Sequence, residues 1–252
     1  MMVKYNFRYL LLIVIHRSTD PYLVKMKQTQ QELYDSMGID YYYLYRDPDI
    51  REPEQQGRDL IFPGEENIIP GLLIKTIDAL LYVERRLDDY DYVIRSNSST
   101  LIDFRSLDQF ILHTKPNYTG HWQDATWKGK KGIIPYVKGI ACCMSRQFVQ
   151  RLLYLRHRLD YTVVEDCSIG EFWIDYVCPH EDQGIPDEEI FWLEDRQNLE
   201  QTLASIEERR RQGPITVYRC RTRQRDRDAE IQQQIALDLG NEISCTDNSS
   251  QA

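Results

Sequence analysis

The run Tyr9-Leu10-Leu11-Leu12-Ile13-Val14-Ile15 constrains this chain more than any other segment. It is closed off by Arg8 on one side and His16-Arg17-Ser18 on the other, and it is too short to cross a bilayer, which takes about 20 apolar residues. The small-residue cleavage site of a secretory signal does not follow it. A strand covered on both faces accounts for the run, because such a strand needs apolar side chains at consecutive positions. Asp20-Pro21 then caps and opens a helical pattern, with Leu23, Met26, Leu33 and Met37 at helical spacing and Gly38 at its end. Asp40–Tyr45 is β-prone, residues 71–86 place Leu73, Ile77, Leu80 and Leu81 on one helical face behind Pro70, and Asp91–Ser96 is the next strand. This alternation predicts an α/β fold with a mostly parallel, doubly wound, Rossmann-type sheet, which binds ligands at the carboxyl ends of its strands.

The charged stretch Arg46–Glu66 contains Pro48, Pro53, Pro63, Gly57 and Gly64, and reads as a loop, either a lid or a long surface excursion. Ile133–Met144 reads as one strand around Gly139. A helix follows from Ser145, with Phe148, Val149, Leu152 and Leu153 inward. Glu189–Leu193 is a short strand, Glu194–Gln212 a surface helix, Ile215–Arg219 a strand, and Asp228–Leu239 a last helix closed by Gly240. The expectation is one domain over residues 1–240 and a disordered tail over 241–252.

A length of 252 residues with 42% hydrophobic content suffices for one large core. The net charge of -9 opposes broad binding to nucleic acid or anionic membranes, which reward a positive face. Six cysteines without a CxxC pair indicate neither a zinc ribbon nor a disulfide scaffold. Cys178-Pro179-His180-Glu181-Asp182 holds metal-capable groups without the paired spacing of a zinc site. With no targeting signal and no membrane span, the expected location is the cytoplasm.

Three segments carry chemistry. At Asp91–Thr100 an apolar strand drops into Arg95-Ser96-Asn97-Ser98-Ser99, whose small polar groups suit sugar and phosphate oxygens, or else form an ordinary turn before a helix. Glu165-Asp166 precedes an apolar helical run, either as first-turn acids or as reactive carboxylates. Arg219, Arg221, Arg223, Arg225 and Arg227 alternate; if extended they face one way, and Arg219 and Arg221 lie nearest the predicted strand. Guanidinium groups so placed suit a diphosphate, or form a solvated face.

Four stretches resemble, in order, the fringe-type and β-1,3-galactosyltransferase-like enzymes of the GT-A fold. Leu72-Leu73-Ile74-Lys75-Thr76 resembles their Leu-Thr-Leu-Lys-Thr helix, and Arg95-Ser96 the lead-in to their acidic DxD cluster, where this chain has Asn97-Ser98-Ser99. Pro135–Ser145 resembles their Pro-x-Tyr-x-x-Gly-x-Gly-Tyr-x-x-Ser segment, and Glu165–Gly170 their acidic pair followed by glycine. The resemblance implies a GT-A-like glycosyltransferase that moves a sugar from a nucleotide-sugar donor, UDP-linked in the family, to a hydroxyl of a glycan or related acceptor. Asp166 would be the base of an inverting reaction, with Glu165 orienting it or holding acceptor hydroxyls. Donor contacts would come from Lys75, Arg95, Ser96, Asn97, Ser98, Ser99, Gly139, Arg219 and Arg221, with His16, Arg17 and Ser18 at the base and ribose. Gly139 also fits a strand bulge. Mn²⁺ or Mg²⁺, the family's usual ions, are disfavoured because the acidic motif is missing. The same gap motivates the alternative of an inactive nucleotide-sugar or glycan-binding domain.

Overall fold

The computed structural model describes residues 4–127, 132–177, 184–193 and 198–249, with side chains described through 241. In chain order the elements are β1 (Tyr9–Val14), α1 (Pro21–Met37), β2 (Asp40–Asp47), β3 (Glu54–Gln56), β4 (Asp59–Pro63), α2 (Leu73–Val83), β5 (Tyr92–Asn97) and β6 (Thr100–Ile102). They continue with α3 (Phe104–Thr114), β7 (Tyr118–Thr119), β8 (Trp122–Ala125), β9 (Ile134–Val137), β10 (Ala141–Ser145) and α4 (Arg146–Tyr154). The remainder are α5 (Glu165–Tyr176), β11 (Ile190–Trp192), α6 (Leu199–Gln212), β12 (Val217–Arg219) and α7 (Arg225–Ser249). The main sheet has the order β3-β4-β2-β1-β5-β10-β7, parallel from β4 through β5 and antiparallel where β3, β10 and β7 join. A smaller sheet has the order β11-β12-β6, and β8 pairs with β9.

Central β1 explains the two-layer core. Its alternate residues point to opposite faces. Leu11 and Ile13 join Leu33, Tyr34, Phe104, Ile231 and Ile235 on the side of α1, α3 and α7. Leu10 and Leu12 join Ile77, Leu80, Phe148, Leu152 and Ile169 on the side of α2, α4 and α5. Gly38 closes α1 in the left-handed conformation at φ 68°, as its position after the last periodic residue suggests. Asp20 stands at the start of α1 but makes no side-chain cap; instead its N–H donates to Ser18 Oγ at 3.0 Å.

Several elements differ from the sequence pattern. Arg46–Glu66 is not all loop: β3 and β4 form a hairpin whose second strand pairs in parallel with β2 and widens the sheet. Ile133–Met144 is two strands, β9 and β10, which separate at Lys138–Ile140 and join different sheets. Helix α7 runs through Gly240 to Ser249, into the stretch expected to be a disordered tail, because one glycine in a helix costs only about 1 kcal/mol. Among the described residues no helix is long and apolar enough to cross a membrane. Leu12→Ala, at a fully buried position, is expected to cost about 2–5 kcal/mol in urea unfolding. The same change at exposed Leu237 should stay within about 0.5 kcal/mol.

Candidate active site

The carboxyl ends of β1 and β5 open into a cleft of about 690 Å³. Its walls are the β1 exit at His16, the segment 66–72, the turn Asn97–Ser99, the pieces Lys138–Ile140 and Val164–Asp166, and Trp192 with Arg219, Arg221 and Arg225. The alternation of strand and helix brings these distant stretches together at one sheet edge, where such sheets hold ligands.

Arg95 forms the floor. Each of its three guanidinium nitrogens donates: Nε to Glu165 Oε1 at 3.1 Å, Nη2 to Glu165 Oε2, and Nη1 to the Gly139 carbonyl at 2.5 Å. Thr76 Oγ1 also donates to Glu165. Burial pushes the Glu165 carboxyl up against the downward pull of Arg95. A guanidinium does not deprotonate in proteins, so Glu165 balances it as the carboxylate. The two charges compensate each other at the floor of the cleft.

Lys75 is similarly occupied. Its ammonium donates to Glu66 Oε1 and Oε2 at 2.7 and 2.6 Å and to the Ile15 carbonyl at 3.0 Å. Burial pulls it down from the ordinary lysine range, with Glu66 opposing. It satisfies the end of β1 and anchors the segment after the hairpin. Ser96 is buried under the floor, donating to the Ile140 carbonyl at 2.6 Å. Arg17 and Ser18 line a neighbouring cavity, where Arg17 pairs with Asp47, while His16 borders both spaces.

Other expected residues do converge. Asp166 is half-buried in the first turn of α5 and accepts the Gly139 N–H through Oδ2 at 2.9 Å. Gly139 is required by close approach: a Cβ there would meet both the Arg95 guanidinium and the Asp166 carboxylate. The Asn97 carboxamide bridges, donating to the Gly139 carbonyl at 3.0 Å and accepting from Ser99 Oγ at 3.1 Å, Thr100 Oγ1 at 3.0 Å and Arg219 Nη1. Arg219 Nη1 also donates to Ser99 Oγ at 2.8 Å. Among the described residues no carboxylate pairs with Arg219, and burial together with neighbouring Arg221 pulls it down to about 10. Ser98 and Ser99 line the cleft beside it.

The arginine run does not continue as a strand. Thr222 N and Oγ1 donate to buried Asp228 at 2.7 and 2.5 Å, which turns the chain into α7. Arg219, Arg221 and Arg225 reach the cleft, Arg225 while pairing with Asp228 at 3.6 Å; Arg227 lies against the same carboxylate at 3.8 Å. Arg225, Lys138, Trp192, Glu66 and Ile68 are cleft residues that the sequence does not single out. Arg225 had a signal in the alternating arginines; a lone tryptophan in a short strand and an acid ending a charged loop had none. Cys178–Asp182 lies outside the described residues.

These features define a GT-A-type glycosyltransferase fold. No protein family and no curated protein is matched by the sequence. In structure the chain is similar to a glycosyltransferase involved in the glycosylation of the major capsid of PBCV-1, at 14% identity and a TM-score of 0.50, covering 90% of this chain and 99% of that one. The galactosyltransferase LgtC, solved with donor and acceptor sugar analogs, has 10% identity and a TM-score of 0.45 over 92% of this chain and 95% of its own. At 14% identity the likeness to the first of these is one of fold. Within the site, Glu165→Ala leaves a buried guanidinium unpaired and should cost about 3–5 kcal/mol in urea unfolding. Asp166→Asn keeps an oxygen for the Gly139 N–H and should stay within about 1 kcal/mol.

Proposed function

We propose that this cleft transfers a sugar from a nucleotide-sugar donor, UDP-linked, to a hydroxyl of a glycan or related acceptor, with inversion at the anomeric carbon. The observation that carries the reading is an imbalance: Asp166 lines the cleft with no ion-pair partner, and Arg219 and Arg221 line it with no carboxylate, all among the described residues. One free base and one anion site in the same cleft are what glycosyl transfer from a diphosphate requires. The fringe-like order of the segments around Lys75, Arg95, Gly139 and Glu165 supports the same class.

In the proposed reaction Asp166 takes the proton of the acceptor hydroxyl as its oxygen attacks the anomeric carbon. The bond from that carbon to the diphosphate breaks on the opposite side, and its electron pair leaves with the phosphate oxygen. Arg219 and Arg221 stabilise the charge that develops there, with bidentate bonds that a lysine would not offer. The base and ribose take the β1 exit at His16, where the cleft meets the cavity of Arg17 and Ser18. Glu165 acts as a positioning residue, holding Arg95 against the Gly139 carbonyl.

Mn²⁺ and Mg²⁺ prefer hard oxygen donors, carboxylates above all. Asn97 Oδ1 is committed to neighbours and Arg219, Glu66 to Lys75 and Glu165 to Arg95. Among the described residues no three His, Cys, Asp or Glu side chains converge. The residues present do not fit a divalent ion, and the proposed transfer runs without one.

Release of free nucleotide from UDP-sugars, with and without acceptor, tests the proposal. Turnover should be the same in EDTA and in manganese. Asp166→Asn should lower transfer about 10²–10⁴-fold without changing donor affinity by calorimetry. Wild-type turnover in that variant would remove Asp166 as the base. Arg219→Gln should weaken donor binding about 10–100-fold.

A further inference from the structure

One polar patch in the cleft has no part in the donor chemistry. Trp192 ends β11, the edge strand of the smaller sheet, and is 38% exposed. Lys138 also lines the cleft, and its ammonium stands over the Trp192 ring, 4.8 Å from the centroid. The His121 ring meets the indole at 5.4 Å, and His121 Nε2 lies 2.9 Å from Asp187 Oδ1. No carboxylate among the described residues is within ion-pair distance of Lys138. Burial pulls its ammonium down from the ordinary lysine range, with only the more distant Asp187 opposing.

The patch is tied to the reacting groups on two sides. Lys138 immediately precedes Gly139, whose N–H holds Asp166. Trp192 is the register partner of Arg219 in the parallel pair β11–β12, so the two side chains stand next to each other on one face of that sheet. Trp192, Arg219 and Asp166 line the same cleft, so a ring laid on Trp192 lies beside an anion on Arg219 and shares the cleft with Asp166. The exposed indole offers a flat apolar surface, the kind that takes the C–H face of a pyranose. A partly desolvated cation without a counter-charge gains from an incoming anion.

We propose that Lys138 and Trp192 form the acceptor subsite, and that the acceptor is an acidic pyranoside, a sugar ring bearing a carboxylate, sulfate or phosphate. This rests on reading the cleft as a glycosyl-transfer site. The ring stacks on Trp192, its acidic substituent meets Lys138, and a hydroxyl on the same sugar faces Asp166.

Titration of the full chain by tryptophan fluorescence, with and without UDP, tests this with a methyl uronoside, a sulfated and a phosphorylated methyl pyranoside, and a neutral methyl pyranoside. At least one acidic ligand should bind about tenfold more tightly than the neutral one, and comparison of the three identifies the group. Lys138→Gln should abolish that difference and leave UDP affinity within about twofold. Trp192→Ala, followed by calorimetry, should weaken acidic and neutral ligands alike by about three- to tenfold. Equal affinity for acidic and neutral pyranosides overturns the proposal, as does a Lys138→Gln variant that loses UDP affinity, which would assign Lys138 to the donor. If UDP fails to bind at all, the donor reading falls, while the titrations without UDP still decide the subsite.

Discussion

The buried pair of Arg95 and Glu165 is the interaction on which the site depends. It joins β5, in the middle of the main sheet, to the first turn of α5, across 70 positions of sequence. Taking two such charges out of water costs several kcal/mol each, and the cost is offset only when every donor and acceptor finds a partner. Here the Gly139 carbonyl and Thr76 add further bonds to the pair's own. The backbone of one glycine consequently receives Arg95 and Asn97 at its carbonyl and gives its N–H to Asp166. A side chain at 139 would separate all three, so the lack of one is what lets floor and base share a single turn.

Lys75 and Glu66 repeat the arrangement at the neighbouring strand ends. The ammonium takes up the Ile15 carbonyl where β1 runs out of partners, and the glutamate brings in the segment that follows the hairpin. The deep charges are thus self-compensated and set shape. The cleft-lining charges that have no opposite ion-pair partner among the described residues are Asp166, Arg219, Arg221 and Lys138. Asp166 stands in the first turn of α5, held by the Gly139 N–H.

This division explains what was legible in the sequence. Strand β1, helix α1 and strand β5 follow from periodicity, because their burial is written in consecutive or helically spaced side chains. Convergence of Asn97–Ser99, Gly139, Asp166 and Arg219 follows from the rule that ligands sit at strand ends. The fates of Arg95 and Lys75 were not legible. A basic residue at a strand end or on a helix looks the same whether it meets a ligand or a buried acid, and the deciding partners come from distant parts of the fold. The arginine run misleads for a local reason: alternate spacing puts five side chains on one face only while the chain stays extended, and the Thr222–Asp228 bonds end the strand after Arg219. Ile133–Met144 misleads likewise, since apolar continuity does not reveal that Gly139 is a turn between two strands.

The neutral turn at Asn97 and the unpaired arginine beside it are one structural choice. Arg219 Nη1 donates to the Asn97 carboxamide oxygen, a dipole that orients the guanidinium without cancelling its charge. A carboxylate at the same position would accept the same bond and neutralise Arg219. With Asn97 the charge stays available. In a chain whose net charge is -9, that matters at short range: salt screens the acidic exterior within about 8 Å, so a bound anion responds chiefly to the arginines it touches. An amide and hydroxyl groups at this turn thus hold Arg219 in place and leave its charge uncompensated there.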